Sequence, residues 1–388
     1  MSKMTNETEP RQRECQKLII CTLSFSPIII MAICFAVWRP ILVPFPLKVV
    51  KMLALHISAD NQRLLDNDLL LLETEWKLYE MEKQFGQQRC NKNEDRSRKN
   101  VSWLTVMVSN DFVVPALVLG YSIQTFSCHK TMIALISGNV SKDTQKALQS
   151  VGWETRLVEE MDCNWMDAKV GGDRNSGLFG RPRGHRIKGT HTRFYAWNYT
   201  EFTKIIYVDA DYILMTNIDE LFQIPEHFAA VPCSRPGVVD LCFNAGLLVI
   251  KPDFKTYQRI MNLWRETTEK DTCPNDQVLL NDFYTPGGWK AIPYAYNIRR
   301  FVFRPLKSFH YACCRPQKPW IGECRPSRKE ARAFAGPIIT VDDMALVFWK
   351  NFYEVLQKYE LEDWWRSTSF FRPTQEFPVV SNFTCRIV

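Results

Sequence analysis

Past residue 100 the apolar positions fall into short solid runs, each closed by polar or turn-forming residues. Residues 101–109 form such a run and stop at Asn110 and Asp111, which predicts a strand followed by a turn. Residues 115–125 continue as an apolar helix with Pro115 in its first turn. A second strand is predicted at 132–137, a helix capped by Ser141 runs to Val151, and a third strand follows at 155–158. Residues 193–200 read as helix and 205–208 as a short buried strand. Apolar strands alternating with helices predict an α/β layered domain with a mainly parallel sheet. Ligands in such folds sit at the carboxyl ends of strands, so the residues just after each strand are the candidates for chemistry.

A different pattern precedes this domain. Residues 18–37 carry no charge. As a helix they would span about 30 Å, the thickness of a bilayer's hydrocarbon core. Trp38 stands where an interfacial aromatic belongs. A cleaved signal peptide is the competing reading. The run is long for one, starts late, and is followed by Trp38, Arg39 and Pro40 in place of a small-residue cleavage site. The expected organisation is a tail at 1–17, a transmembrane anchor at 18–38, a stem and linker at 39–100, a catalytic domain at 101–325 and a C-terminal extension at 326–388 packed on it. In the stem, Leu65, Leu69, Leu72, Trp76 and Tyr79 alternate by four and three, the spacing of a coiled-coil seam. Such a seam could pair two copies or pack the stem on the domain.

Composition narrows the picture. The 388 residues are 46% hydrophobic and 13% aromatic, which excludes a disordered chain. A net charge of +7 is mild at this length, and no basic stripe or reader motif accompanies it, so no nucleic-acid partner is expected. Charges flank the apolar run on both sides and do not settle its orientation. Sequons at Asn100, Asn139, Asn198 and Asn382 follow the run, against one at Asn6 before it. Ten of the 13 cysteines also follow it. Both features favour a lumenal catalytic domain. Cysteine connectivity is not readable from the spacing.

The predicted strand at 205–208 ends in Asp209-Ala210-Asp211. In extended backbone, residues two apart point to one side, so both carboxylates can face one divalent cation. An Asp-x-Asp alone is weak, since aspartates are common in turns. Two of them directly after a buried strand are costly unless a cation or donors compensate them.

The stretch KIIYVDADYILMTNIDELF at 204–222 resembles the metal motif of the glycogenin-like family 8 glycosyltransferases. The likeness continues in order through WLTVMVSNDFVVPALVLGYSI at 103–123, HTRFYAWNYTEF at 191–202, FNAGLLVIKP at 243–252, NDQVLLN at 275–281 and HYACCRPQKPW at 310–320. It implies the GT-A fold, a Rossmann-like mixed sheet flanked by helices, and retaining transfer of a sugar from a UDP-sugar. Asp209 and Asp211 would hold the metal with His310 as third ligand. Mn²⁺ is favoured over Mg²⁺, because oxygens with one imidazole suit manganese better. Asn110 and Phe112 would meet uracil, and Lys318 the diphosphate. Asn244, Ala245 and Gly246 would line the donor sugar, and Asp240 is counted among the substrate-binding residues. Arg193 stands where the family often has a lysine bridging phosphate and sugar. Asp276 would hold sugar hydroxyls, and Gln277 would lie near the anomeric carbon. Pro274 would open their helix.

Three departures from the pattern stand out. Phe112 replaces the usual tyrosine. Cys273 stands where animal members carry an acidic residue. Two extra residues, with Cys313 and Cys314 nearby, lengthen the closing element. The segment at 135–158 and the extension with Trp364-Trp365 look more like the plant branch, which includes Golgi glucuronosyltransferases. The expected donor is therefore UDP-glucuronic acid or a UDP-hexose. The expected acceptor is a glycan, glycolipid or glycoprotein, with the enzyme a single-pass type II protein of the Golgi or ER membrane. Two rival readings remain: a self-glucosylating primer of the glycogenin type, and a catalytically dead sugar-binding scaffold on the same fold.

Overall fold

The structure is a computed structural model describing residues 100–163, 189–233, 242–270, 272–299, 302, 305–312, 318–321, 325–338 and 340–369. The anchor, the stem seam and Asp240 lie outside the described residues. Among the described residues no helix is long and apolar enough to cross a membrane.

Strand β1 (Val101–Met107) is buried almost throughout and is paired on both sides. That is why its sequence is apolar without alternation. Helix α1 (Val113–Phe126) is equally apolar all round, because it is covered on both sides. It begins two residues earlier than the sequence predicts, leaving Pro115 still in the first turn, where a missing N–H costs no helical bond. Strand β2 (Met132–Ile136) leads to α2 (Lys142–Val151), capped by the Ser141 hydroxyl and ended by Gly152 at φ 106°. Strand β3 (Glu154–Leu157) follows. The helix predicted at 193–200 is a 3₁₀ segment at Thr190–Asn198. It opens on the left-handed Gly189, and its threonines and aromatics are weak α-helix formers.

The remaining strands are β4 (Lys204–Val208), β5 (Tyr212–Leu214), β6 (Phe228–Pro232), β7 (Phe243–Ile250), β8 (Lys290–Ala291) and β9 (Ser308–His310). Seven strands form one sheet in the order β3-β2-β1-β4-β7-β6-β8. The β3, β2, β1 and β4 pairs are parallel, β7 runs antiparallel to both β4 and β6, and β8 is parallel to β6. This is the mainly parallel mixed sheet that the sequence predicts.

The sheet carries a core on each face. Trp103, Ile206, Val208 and Val249 face one side, with α1, α2 and helix α5 (Val341–Lys358). Leu104, Ile205, Tyr207 and Leu248 face the other. There they meet the 3₁₀ segment, helix α3 (Phe254–Glu269) and helix α4 (Asp276–Tyr284). Neighbours in β1 and β4 thus alternate between the cores with period two. Tyr121 of α1 ties α5 down by donating to the Glu354 carboxylate at 2.6 Å. Beside the main sheet, β5 and β9 form a separate antiparallel pair in which Tyr212 lies opposite His310.

Candidate active site

β1 has β2 on one side and β4 on the other, so the chain reverses its winding there. The crevice at the carboxyl ends of β1 and β4 is where an open α/β sheet binds ligands. Asp209 and Asp211 emerge at that end of β4. The β5–β9 pairing then brings in a residue from far downstream: with Tyr212 opposite His310, the imidazole lies against Asp211. His310 Nε2 is 3.2 Å from Asp211 Oδ1 and 3.5 Å from Asp209 Oδ2. The three ligand atoms all lie within 4.8 Å of one another. The donor set fits a divalent cation in chemistry and spacing.

Gly246 of β7 makes room for the ring. A Cβ at that position would fall 2.1 Å from His310 Cε1 and 2.4 Å from Nδ1. A second grouping, Asp162, Cys163 and His191, has similar spacing, but Cys163 is disulfide-bonded to Cys273 and offers no thiolate.

Arg193 is the centre of charge on the other side. Its guanidinium is buried and donates to Asp209 at 3.1 Å, to Asp276 at 2.9 Å and to the Ala245 carbonyl at 2.6 Å. It clamps a metal-site aspartate to the aspartate at the start of α4, with its donors committed to protein acceptors. Burial works to neutralise Arg193, and the two carboxylates more than offset this, raising its pKa. The Asp276 carboxyl is likewise pushed up by burial and pulled further down by Arg193, so it is held ionised.

Lys318 closes the site. Its ammonium ion-pairs with the Asp211 carboxylate and donates to the Tyr311 carbonyl at 2.9 Å. It also lies 5.7 Å from the Phe112 ring centroid and 5.2 Å from that of Trp320. Burial alone would raise the Asp211 pKa, but Lys318 and His310 hold it well below the ordinary carboxylate range. Phe112 meets Trp320 edge-on at 6.3 Å. Asn110, in the turn after β1, accepts from the Ser141 N–H at 3.1 Å.

Helix α4 is capped by Asn275, whose side chain accepts from the Val278 N–H at 2.8 Å. This corrects the sequence reading. Pro274 precedes the cap and is outside the first turn, and Asp276 is free of capping duty. Gln277 Oε1 accepts from Asn244 Nδ2 at 2.9 Å and from the Ala245 N–H at 3.1 Å. The structure therefore brings together Phe112, Arg193, Asp209, Asp211, Asn244, Ala245, Gly246, Asp276, Gln277, His310 and Lys318, while the Asn110 side chain is engaged by Ser141. Asp240 lies outside the described residues. Sequence reasoning missed Asn297, fully buried between His310 and Asn244. The available signal was an amide inside the aromatic run IPYAYNI at 292–298.

Residues 103–323, more than half of the chain, match the family model for "Glycosyl transferase family 8". The chain belongs to this family. It is a family 8 glycosyltransferase built on a mixed, mainly parallel α/β sheet. Mouse Glycogenin-1 is 27% identical over 269 residues, covering 65% of this chain and 75% of that protein. An Arabidopsis thaliana "Putative UDP-glucuronate:xylan alpha-glucuronosyltransferase 3" is 27% identical over 196 residues, covering 50% of this chain and 28% of its own. A solved galactosyltransferase, LgtC, with donor and acceptor sugar analogues, aligns at 15% identity with a TM-score of 0.45, covering 65% of this chain and 95% of its own. Metal dependence is general in family 8, and the two aspartates and the histidine supply a group that could hold the ion.

Proposed function

We propose that this family 8 enzyme transfers a hexose or hexuronic acid from a UDP-sugar to a glycan, lipid or protein acceptor, with retention at the anomeric carbon and Mn²⁺ as its cation. The observation that carries the reading is the meeting of Asp209, Asp211 and His310 at the switch point of the sheet. Two carboxylates and one imidazole favour manganese over magnesium. A cation held there would neutralise diphosphate oxygens as the glycosidic bond breaks.

The chain's own residues do the positioning. Asn110 and Phe112, after β1, would take uracil, with the Phe112 ring as a stacking face. Lys318 would reach the diphosphate as a point charge. Asp276 and Gln277, at the start of α4, would hold the sugar against Asn244, Ala245 and Gly246. The bond from the anomeric carbon to the phosphate oxygen breaks, and a bond to the acceptor oxygen forms on the same face. The acceptor's proton passes to the departing phosphate oxygen. Asp276 is buried and ion-paired to Arg193, which supports this front-face route over a covalent intermediate on that carboxylate.

The described disulfides, Cys163–Cys273 and Cys233–Cys242, support an oxidising compartment. So does the exposure of the sequon asparagines Asn100, Asn139 and Asn198. The proposal therefore places the domain in the Golgi or ER lumen, as a type II protein anchored through 18–38, with the stem as a candidate dimer seam. UDP release from a panel of UDP-sugars, with Mn²⁺ and an EDTA control, tests the reaction. One donor should turn over with Mn²⁺ and stop with EDTA. Purified protein that ignores both manganese and UDP would overturn the proposal.

A further inference from the structure

Behind the metal-site histidine runs a chain of side-chain amides whose direction the backbone dictates. The Gly246 N–H can only donate, and it donates to Asn244 Oδ1 at 3.0 Å. That fixes the Asn244 amide with its oxygen toward Gly246 and its nitrogen toward Gln277 Oε1 at 2.9 Å. The Ala245 N–H fixes Gln277 independently, donating to the same Oε1 at 3.1 Å. Gln277 Nε2 is thereby turned to the opposite side, 4.0 Å from Cys233 Sγ.

Asn244 Oδ1 also accepts from Asn297 Nδ2 at 2.9 Å. The Asn297 amide then has one remaining orientation, with Oδ1 toward His310 Nδ1 at 3.1 Å. An oxygen there can only accept. The proton of the neutral imidazole is therefore on Nδ1, and the Nε2 lone pair points to the aspartates. Asn297 is completely buried, so water does not compete for these bonds.

We infer that Asn297 is a positioning residue. It holds His310 in the Nδ1–H tautomer that a metal ligand needs, and beside the Gly246 N–H it is the second donor to Asn244 Oδ1, the amide whose nitrogen meets Gln277. This rests on the metal site proposed above. A partner of this kind behind a ligating histidine is worth about 10–100-fold in metal affinity.

Two substitutions separate the two ends of the chain. In Asn297→Asp, a carboxylate oxygen still accepts from His310 Nδ1–H, but the other oxygen faces Asn244 Oδ1 as acceptor against acceptor. In Asn297→Ala both bonds are lost. Mn²⁺ affinity, read by electron paramagnetic resonance on the full chain in detergent, should fall about 10–100-fold in Asn297→Ala. In Asn297→Asp it should stay within about threefold of the unsubstituted protein, being carried by a carboxylate–histidine pair. The value of kcat should fall about 100-fold in Asn297→Asp through misplacement at the sugar end. A residue with a merely structural role would lower affinity and kcat together in both variants. Equal loss of Mn²⁺ affinity in the two, or none in Asn297→Ala, overturns the inference and leaves the proposed function standing. Unsubstituted protein that binds no Mn²⁺ overturns both. A spectroscopic reading on the unsubstituted chain is independent of activity: with the diamagnetic ion Mg²⁺ bound, ¹⁵N-histidine spectra should show the Nδ1–H form for His310, assigned as the signal missing from His310→Gln, and an Nε2–H ring overturns the inference.

Discussion

Gly246 shows how much one missing methyl group decides. Its Cα lies so close to the imidazole that any side chain would overlap His310. The overlapped atoms belong to a buried ring that faces Asn297 on one side and Asp211 on the other. Gly246→Ala should push the ring out of ligand range. Mn²⁺ affinity should fall by at least about tenfold, and overpacking should cost about 1–3 kcal/mol of stability. Titration calorimetry and a thermal melt check the two effects. Unchanged metal affinity would show that His310 is not a ligand. At this scale the sequence was informative where chemistry lies in residue type. Two aspartates after a buried strand called for a cation or donors to compensate them, and His310 joined them through its place in the motif order. Asn297 was not legible. A buried amide looks like any asparagine until its neighbours are known, and those neighbours come from β7 and β9.

At the scale of elements, the start of α4 is held more tightly than its sequence shows. Asn275 caps it, Arg193 pairs with Asp276, and Cys273, three residues before Asp276, is bonded to Cys163 across 110 residues. Cys233–Cys242 lies against Gln277 from the other side. The position where animal relatives carry an acidic residue is thus a covalent anchor here. The sequence reading opened the helix at Pro274, ahead of its Asn275 cap, and the bridge was not legible because spacing leaves many pairings open. The 3₁₀ segment at Thr190–Asn198 was misread as α-helix, because both leave the same apolar pattern over so short a stretch. The double substitution Cys163→Ser with Cys273→Ser should cost about 2–5 kcal/mol, since the bridge closes a long loop. The start of α4 should loosen as well, lowering kcat more than it raises the donor KM. Thermal melts and steady-state kinetics check this. A variant with a lowered melting temperature but unchanged kcat would mean that the bridge serves the fold alone.

The whole molecule is organised around a junction of two half-sheets. The parallel half, β3-β2-β1-β4, ends where a nucleotide would sit, and the antiparallel strand β7 carries the residues that would face the sugar. His310 belongs to neither half. It arrives on the separate β5–β9 pair, 99 residues beyond Asp211, so a cation there would join two parts of the fold that the main sheet leaves unlinked. Ligand binding should therefore register as global stability. At free ligand near one hundred times Kd the gain is about 2.7 kcal/mol. For a domain of this size that is a rise of roughly 5–10 °C in Tm. Mn²⁺ with UDP should produce such a rise, and EDTA should reverse it. Asp211→Asn removes a cation ligand and the partner of Lys318 together, so that variant should melt cooperatively yet show no rise. A full rise in Asp211→Asn would mean that nucleotide and cation are held somewhere other than the switch point. A rise with UDP alone, insensitive to EDTA, would leave the nucleotide site intact and remove the cation from it.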